Sequence, residues 1–255
     1  MATKANSLVT LLLRGYRLYM TRRRWIADEV SGNRAVLTGS HAEHLARVLR
    51  ARVGQEFDVS TGEEVRLGRI VSVAPERVEF ELGDPVAGWD ALPVTLALSI
   101  FKFDRMEWAI EKCTELGASR IVPVISRRTE SHLAAAVSKR VERWRRIARQ
   151  AAQQCRRAGT PEISGPIKVK DAITLPGNIR IVLSEVETQT SFKDAVQTVR
   201  KNNLVLAFGP EGGWVEEELQ VFQQAGWTSA SLGNTILRAE TAAIAALAIA
   251  AAEIR

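Results

Sequence analysis

The sequence predicts an α/β protein, a parallel sheet flanked by helices, preceded by a small β-barrel. Three observations carry that expectation. Short β-rich runs fill residues 25–82, strand and helix patterns alternate from Val94 onward, and a stretch rich in Gly, Pro and Asp, 83–93, lies between them. The expected organisation is an extension or leader at 1–19, a barrel at 20–82, a linker at 83–93 and an α/β domain at 94–255.

In the first part, the runs 34–37, 56–60, 64–73 and 77–82 are punctuated by Gly54, Gly62, Gly68 and Pro75, the spacing of a small barrel or sandwich. Ser40 opens a short helix on which Leu45, Val48 and Leu49 share one face. After the linker the period changes. Residues 94–101 form a continuous apolar run suited to a buried strand, and 106–116 repeat at helical spacing and stop at Gly117. Strands follow at 121–125, 179–183 and 204–208, then a helix at 215–225, a short strand at 229–232 and an alanine-rich helix from Glu240. Such alternation builds a parallel sheet whose ligands bind beyond the carboxyl ends of the strands.

Composition narrows the classes. At 255 residues with 46% hydrophobic and 25% charged side chains, the chain is neither disordered nor collagen-like. Cys113 and Cys155 lie in helical patterns without a CxxC motif, so both read as reduced and buried. His41 and His44 form the one close histidine pair, with no Cys or Asp cluster to complete a metal site, so no metal is expected. The longest apolar run, 242–252, falls short of the roughly 20 residues that span a bilayer, so no membrane association is expected. Residues 1–19 hold a short apolar patch followed by Arg14 and Arg17, without a small-residue cleavage pattern. The leader reads either as transit-like or as an extended start with Met20 opening the folded part. The expected location is cytoplasmic.

The net charge of +6 is unevenly spread. Residues 127–157 hold 10 basic side chains against Glu130 and Glu142, whereas 1–90 and 91–126 are nearly balanced and 158–255 are slightly acidic. Here Val137, Val141, Trp144, Ile147, Ala151 and Cys155 recur at steps of three and four, so one helix face is apolar and the others are arginine-rich. With almost no acid in the same stretch to offset it, the face is expected to meet phosphates rather than solvent alone. Arg22, Arg23 and Arg24 form a second, smaller cluster.

Two loops stand out as a ligand site. The strand 204–208 runs into Gly209-Pro210-Glu211-Gly212-Gly213 before a helix, and the strand 229–232 runs into Gly233-Asn234-Thr235-Ile236-Leu237-Arg238 before another. Glycines there permit tight turns and close approach of a ligand to backbone. Neither loop is GxGxxG or a phosphate loop ending in Gly-Lys-Ser/Thr, which argues against nicotinamide and nucleoside triphosphates. Arg238 beside apolar neighbours calls for a ligand or for an internal pair with Glu211. Glu240 at a helix amino end has a ready structural role against the dipole.

The pattern resembles the RsmE-type 16S ribosomal RNA uridine-N3 methyltransferases of the knotted SPOUT superfamily. The elements that carry it are Lys102 with Asp104 and Arg105, Lys112 with Glu115-Leu116-Gly117, Pro123, Arg127, Gln154-Cys155 with Arg157, Gly209 to Gly213, and Leu232 to Thr241. They run in the family's order from about Arg23 onward. Departures are Ala239, where the family more often has threonine, and Arg156, commonly a smaller residue.

The resemblance implies a PUA-like RNA-binding barrel, a catalytic domain ending in a trefoil knot, a homodimer, S-adenosyl-L-methionine (SAM) as cofactor and 16S rRNA of the small subunit as substrate. It places the cofactor on Leu183, Gly209, Pro210, Glu211, Gly212, Gly213, Leu232, Gly233, Ile236 and Leu237. Arg238 would stabilise the anionic uracil, and Glu211 or Glu240 would accept a proton or order a loop. Arg22, Arg23, Arg24, Lys102, Arg105, Arg127, Gln154 and Arg157 would contact RNA. Two rivals remain open at this stage: a ribose 2'-O-methyltransferase of the same superfamily, and a non-catalytic ribosome-assembly factor.

Overall fold

The structure, a computed structural model, describes residues 24–62, 64–86, 91–155, 157–197 and 203–254. Arg22, Arg23, Arg156 and the expected leader lie outside the described residues. The chain forms two compact units, Met1–Trp89 and Asp90–Arg255.

The first unit is a six-stranded sheet built from β1 (Arg24–Ile26), β2 (Glu29–Ser31), β3 (Arg34–Thr38), β4 (Glu56–Ser60), β5 (Val65–Ala74) and β6 (Arg77–Val86). Its order is β1-β4-β5-β6-β3-β2, with β1 parallel to β4 and the other pairs antiparallel. Along β6, Val78, Phe80 and Leu82 point inward while Arg77 and Glu81 face out, the period-two pattern of a half-buried strand. Register shifts between Arg66 and Gly68 and between Ile70 and Ser72 mark irregularities of the kind that bends a strand pair. Helix α1 (Gly39–Glu43) runs into a π-helical turn, His44–Val48, and drops Ala42 and Leu45 into a core with Trp25, Leu37, Val59, Ile70 and Phe80.

Arg24 corrects one expectation. It is held inside this unit by Asp58 at 3.5 Å, with the two side chains only 5% and 2% exposed, so it is not presented to a phosphate. A buried arginine needs a carboxylate, and β4 supplies one directly across the β1–β4 ladder.

The second unit holds β7 (Val94–Ser99), α2 (Phe103–Leu116), β8 (Arg120–Ile125), α3 (Ser131–Ala136), a 3-10 turn (Val137–Arg140), α4 (Val141–Gln154), β9 (Glu162–Ile163), β10 (Ile167–Lys168), α5 (Val169–Ala172), β11 (Ile179–Leu183), α6 (Phe192–Val196), β12 (Leu204–Phe208), α7 (Glu216–Gln224), β13 (Thr228–Ala230) and α8 (Ala239–Ile254). All its strand pairs are parallel, in the order β10-β8-β7-β12-β11-β13 with β9 also on β8, so this unit is an α/β fold. β12 is buried along its whole length, and its residues alternate between two layers. Leu204, Leu206 and Phe208 join the side covered by α2, α4 and α8, while Val205 and Ala207 join Trp214, Phe222 and Trp227 on the other. The alanines of α8 let that helix lie close against α2 and β12.

The basic stretch departs from one continuous helix over 137–155, being divided into α3, the 3-10 turn and α4. Its charge is also answered more fully than expected. Arg143 makes a bidentate pair with Glu107 of α2 at 2.6 and 2.8 Å, Arg145 bonds Glu142 and the Ile163 carbonyl, and Arg140 lies over the Phe103 ring. The sequence hides this because Glu107 lies 36 positions away. Lys139 and Arg146 remain exposed.

Candidate functional site

The carboxyl ends of three strands stop level with one another. Leu183 of β11 lies opposite both Phe208 of β12 and Ala230 of β13. Beyond this edge the two glycine-bearing loops turn away and enclose a cavity of about 350 Å³. Its apolar floor is Leu183 and Phe208, 7% and 2% exposed, and Leu232 and Leu237 add partly buried walls. Leu183, Gly209, Pro210, Glu211, Gly213, Leu232, Gly233, Ile236, Leu237 and Arg238 all line it, so the structure brings together almost the whole set expected from the two loops.

Gly212 is the exception. Its carbonyl accepts from Nη1 of Arg128, which also reaches the Trp214 carbonyl at 3.4 Å, so it faces the end of β8 rather than the cavity. The neighbouring Arg127 amide donates to Oε1 of Glu218 at 2.7 Å, and Oε2 of Glu218 accepts from the Val215 amide at 3.3 Å. Arg127 and Arg128 therefore brace the first loop from outside. Trp214 Nε1 ties the same loop to the Leu183 carbonyl at 3.1 Å.

Ile236 also departs from expectation. It lines the cavity but is 86% exposed, so it forms an open rim where an apolar residue ordinarily is buried. The loop gives it no opposing layer on which to pack. Arg238 is exposed at the same rim, and among the described residues no ion pair engages it. The internal pair with Glu211 is instead made by Arg105, whose Nη1 donates to Oε1 of Glu211 at 2.8 Å and whose Nε lies 3.7 Å from Oε1 of Glu240. Glu240, in the first turn of α8, is 4% exposed and does not line the cavity.

The residues expected to meet RNA are dispersed. Arg105 turns into the cavity, while Lys102 and Arg127 are exposed and Gln154 stands in a broad groove between α2 and α4. Arg157 is a second correction: it is 4% exposed, its Nη1 donates to the Thr114 carbonyl at 2.8 Å, and burial pushes its pKa below the usual arginine value. An arginine spent on a buried carbonyl is not offered to a phosphate.

Sequence reading missed Ser184, Glu185, Phe208, Ser231 and Ala242, all of which line the cavity. A signal existed for the first two. They directly follow β11, and the rule that ligands sit beyond strand carboxyl ends applies to that strand as well. Gly213 adds a constraint. Its φ is +69°, a conformation that favours glycine, and a Cβ placed there would stand 2.0 Å from Oε1 of Glu185, which would have to move aside. Among the described residues no group of His, Cys, Asp and Glu is placed to hold a metal, and no helix is long and apolar enough to cross a membrane.

Comparison with known proteins places this geometry. Residues 90–251 match the RNA methyltransferase domain family. The chain is 32% identical over 228 residues to the ribosomal RNA small subunit methyltransferase E of Mesomycoplasma hyopneumoniae, covering 87% of this chain and 95% of the relative. A solved structure of the same enzyme from Neisseria gonorrhoeae, bound to S-adenosyl methionine, superposes with a TM-score of 0.77 at 29% identity, covering 89% of this chain and 95% of that one. A SAM-bound Legionella pneumophila structure, classed as a methyltransferase, gives a TM-score of 0.79 at 27% identity, covering 91% and 97%. A match over most of both partners and a shared fold are what common descent leaves behind, and the chain belongs to the ribosomal RNA small subunit methyltransferase E family.

Proposed function

We propose that this chain uses SAM to methylate N3 of one uridine in the decoding region of 16S rRNA in the small ribosomal subunit. The observation that carries the reading is the cavity at the level ends of β11, β12 and β13, with Arg238 on its rim and no ion pair engaging it among the described residues. The cavity fits the cofactor on its own terms. Its floor is apolar and its walls come from the two glycine-bearing loops. At Gly233, φ is +127° and nothing lies within 4 Å of where a Cβ would stand, so a ligand can approach that backbone. Leu183, Gly209, Pro210, Glu211, Gly213, Leu232, Gly233, Ile236 and Leu237 would hold it, and Gly212 would act through its bond to Arg128.

When bound, the cofactor supplies a methyl group activated on a sulfonium. Uracil N3 carries a proton at neutral pH, and its loss leaves negative charge on the ring oxygens. Arg238 is placed to stabilise that anion. Glu211 is engaged by Arg105, which suits it to ordering the loop more than to taking the proton; water or Glu211 remains the acceptor in this reading. N3 belongs to the pairing edge, so the base must leave its helix to reach the cavity. Lys102, Arg127 and Gln154, with exposed Lys139 and Arg146, supply the phosphate-facing groups, aided by Arg22 and Arg23. The six-stranded sheet of the first unit serves as a PUA-like barrel, the α8 segment completes a trefoil knot, and the protein acts as a cytoplasmic homodimer.

The test is incubation of small subunits lacking the modification with the protein and methyl-labelled SAM, followed by nucleoside mass spectrometry. Appearance of 3-methyluridine at one decoding-region site is the expected result. Label on ribose alone overturns it in favour of 2'-O-methylation, and cofactor binding with no label on any rRNA overturns the substrate.

A further inference from the structure

The cavity carries four charged side chains, and two of them cancel. Arg105 is paired with Glu211 at 2.8 Å. That leaves Arg238 on the α8 side and Glu185 at the end of β11, neither with an ion pair among the described residues. Arg238 has a use in the reaction proposed above, and Glu185 as yet has none.

Its backbone is tied on both sides. The Ser184 amide donates to the Ala230 carbonyl at 3.0 Å, which ties the residue before it to β13. Glu187 then caps the following turn by accepting from the amides of Gln189 at 2.7 Å and Thr190 at 3.1 Å, bonds that hold its own carboxyl below the usual range. Between these anchors the Glu185 carboxylate lies over Gly213, where a Cβ would meet its Oε1. It therefore faces the cavity and bridges the end of β11 to the first glycine loop.

We infer that Glu185 is a cofactor-recognition residue whose carboxylate accepts hydrogen bonds from the vicinal hydroxyls of the ribose in SAM. This rests on the proposed use of SAM. Three features of SAM suit a carboxylate here, the sulfonium charge, the α-ammonium and the ribose diol; catalysis argues against the first, and loss of sensitivity in the deoxy ligand separates the diol from the ammonium. An uncompensated anion beside the sulfonium would stabilise the ground state more than the transition state, in which that positive charge is dissipating, and would slow transfer. A diol is unchanged through the reaction, and two adjacent hydroxyls match the two oxygens of one carboxylate.

Calorimetric titration of the full chain and of Glu185→Gln with SAM, with S-adenosylhomocysteine and with the 2'-deoxy form of the latter tests this. A charge-assisted bond of this kind is worth about tenfold in affinity or more. The expected result is an equal loss, roughly tenfold, for SAM and S-adenosylhomocysteine, together with a much smaller loss for the deoxy ligand, because variant and ligand remove the same interaction. A larger loss for SAM than for S-adenosylhomocysteine overturns the assignment by placing Glu185 at the sulfonium, and unchanged affinities overturn it altogether. Failure of the unaltered protein to bind SAM would defeat the methyltransferase reading itself, a result distinct from either.

Discussion

Arg105 and Glu211 are 106 positions apart in the chain and 2.8 Å apart in space, joining α2 to the first glycine loop at the mouth of the cavity. With Glu240 3.7 Å from Nε, the same guanidinium bridges that loop and the start of α8, the two elements between which the cavity opens. Arg105→Ala should therefore loosen both walls together. We expect cofactor affinity to fall by about tenfold with a loss of stability near 1 kcal/mol or less, since the pair is only partly buried. Titration calorimetry and thermal denaturation read the two effects separately.

Arg238 differs from Arg105 in having no acid to neutralise it among the described residues. Arg238→Ala should lower kcat by two to three orders of magnitude, the usual cost of removing one stabilising donor, while leaving fold and cofactor affinity near those of the unaltered protein. Single-turnover methylation with saturating cofactor is the measurement. A loss confined to cofactor affinity would move Arg238 from chemistry to binding.

The basic residues of this stretch should separate into two groups. Lys139→Glu and Arg146→Glu, both on exposed positions, should weaken rRNA binding and reduce its dependence on salt without affecting melting temperature. Arg157→Ala should cost on the order of 2 kcal/mol in stability, because it removes a buried bond to the Thr114 carbonyl, and should leave the salt dependence unchanged. Filter binding across a salt series, alongside denaturant unfolding, distinguishes them.

Burial holds the Cys113 thiol at a pKa of about 12, against 9.0 for an ordinary thiol. The native state keeps a proton that the unfolded state releases, so this contribution to stability is fully present below pH 9 and is lost as the pH rises toward 12. At neutral pH the folded protein should resist alkylation at Cys113, and the half-buried Cys155, whose pKa is also raised mainly by burial, should react slowly. Mass spectrometry after iodoacetamide treatment, with and without denaturant, measures both.

Much of this architecture was legible in the sequence, and the reason is local. The strand 204–208 is an uninterrupted apolar run and 179–183 is apolar but for Arg180, the helix ending at Leu116 stops at a glycine, and the two glycine-bearing loops announce themselves by composition. By contrast β9, β10 and α5 are two to four residues long, too short for any period to register.

What only tertiary structure decided concerns partners. Arg24, Arg105 and Arg157 look alike in sequence as exposed cations suited to RNA, yet each is claimed by a group that strand register or helix packing carries to it: Asp58, Glu211 and the Thr114 carbonyl. Glu185 and Ile236 run the other way, a carboxylate folded back over Gly213 and an apolar side chain left open at the rim. Chain patterning determined which elements form and where the ligand site lies, because those depend on neighbours a few positions apart. Which charges are spent inside the protein and which remain for a ligand depends on contacts across tens to more than a hundred positions, and that is set by the packing of the sheet and its helices.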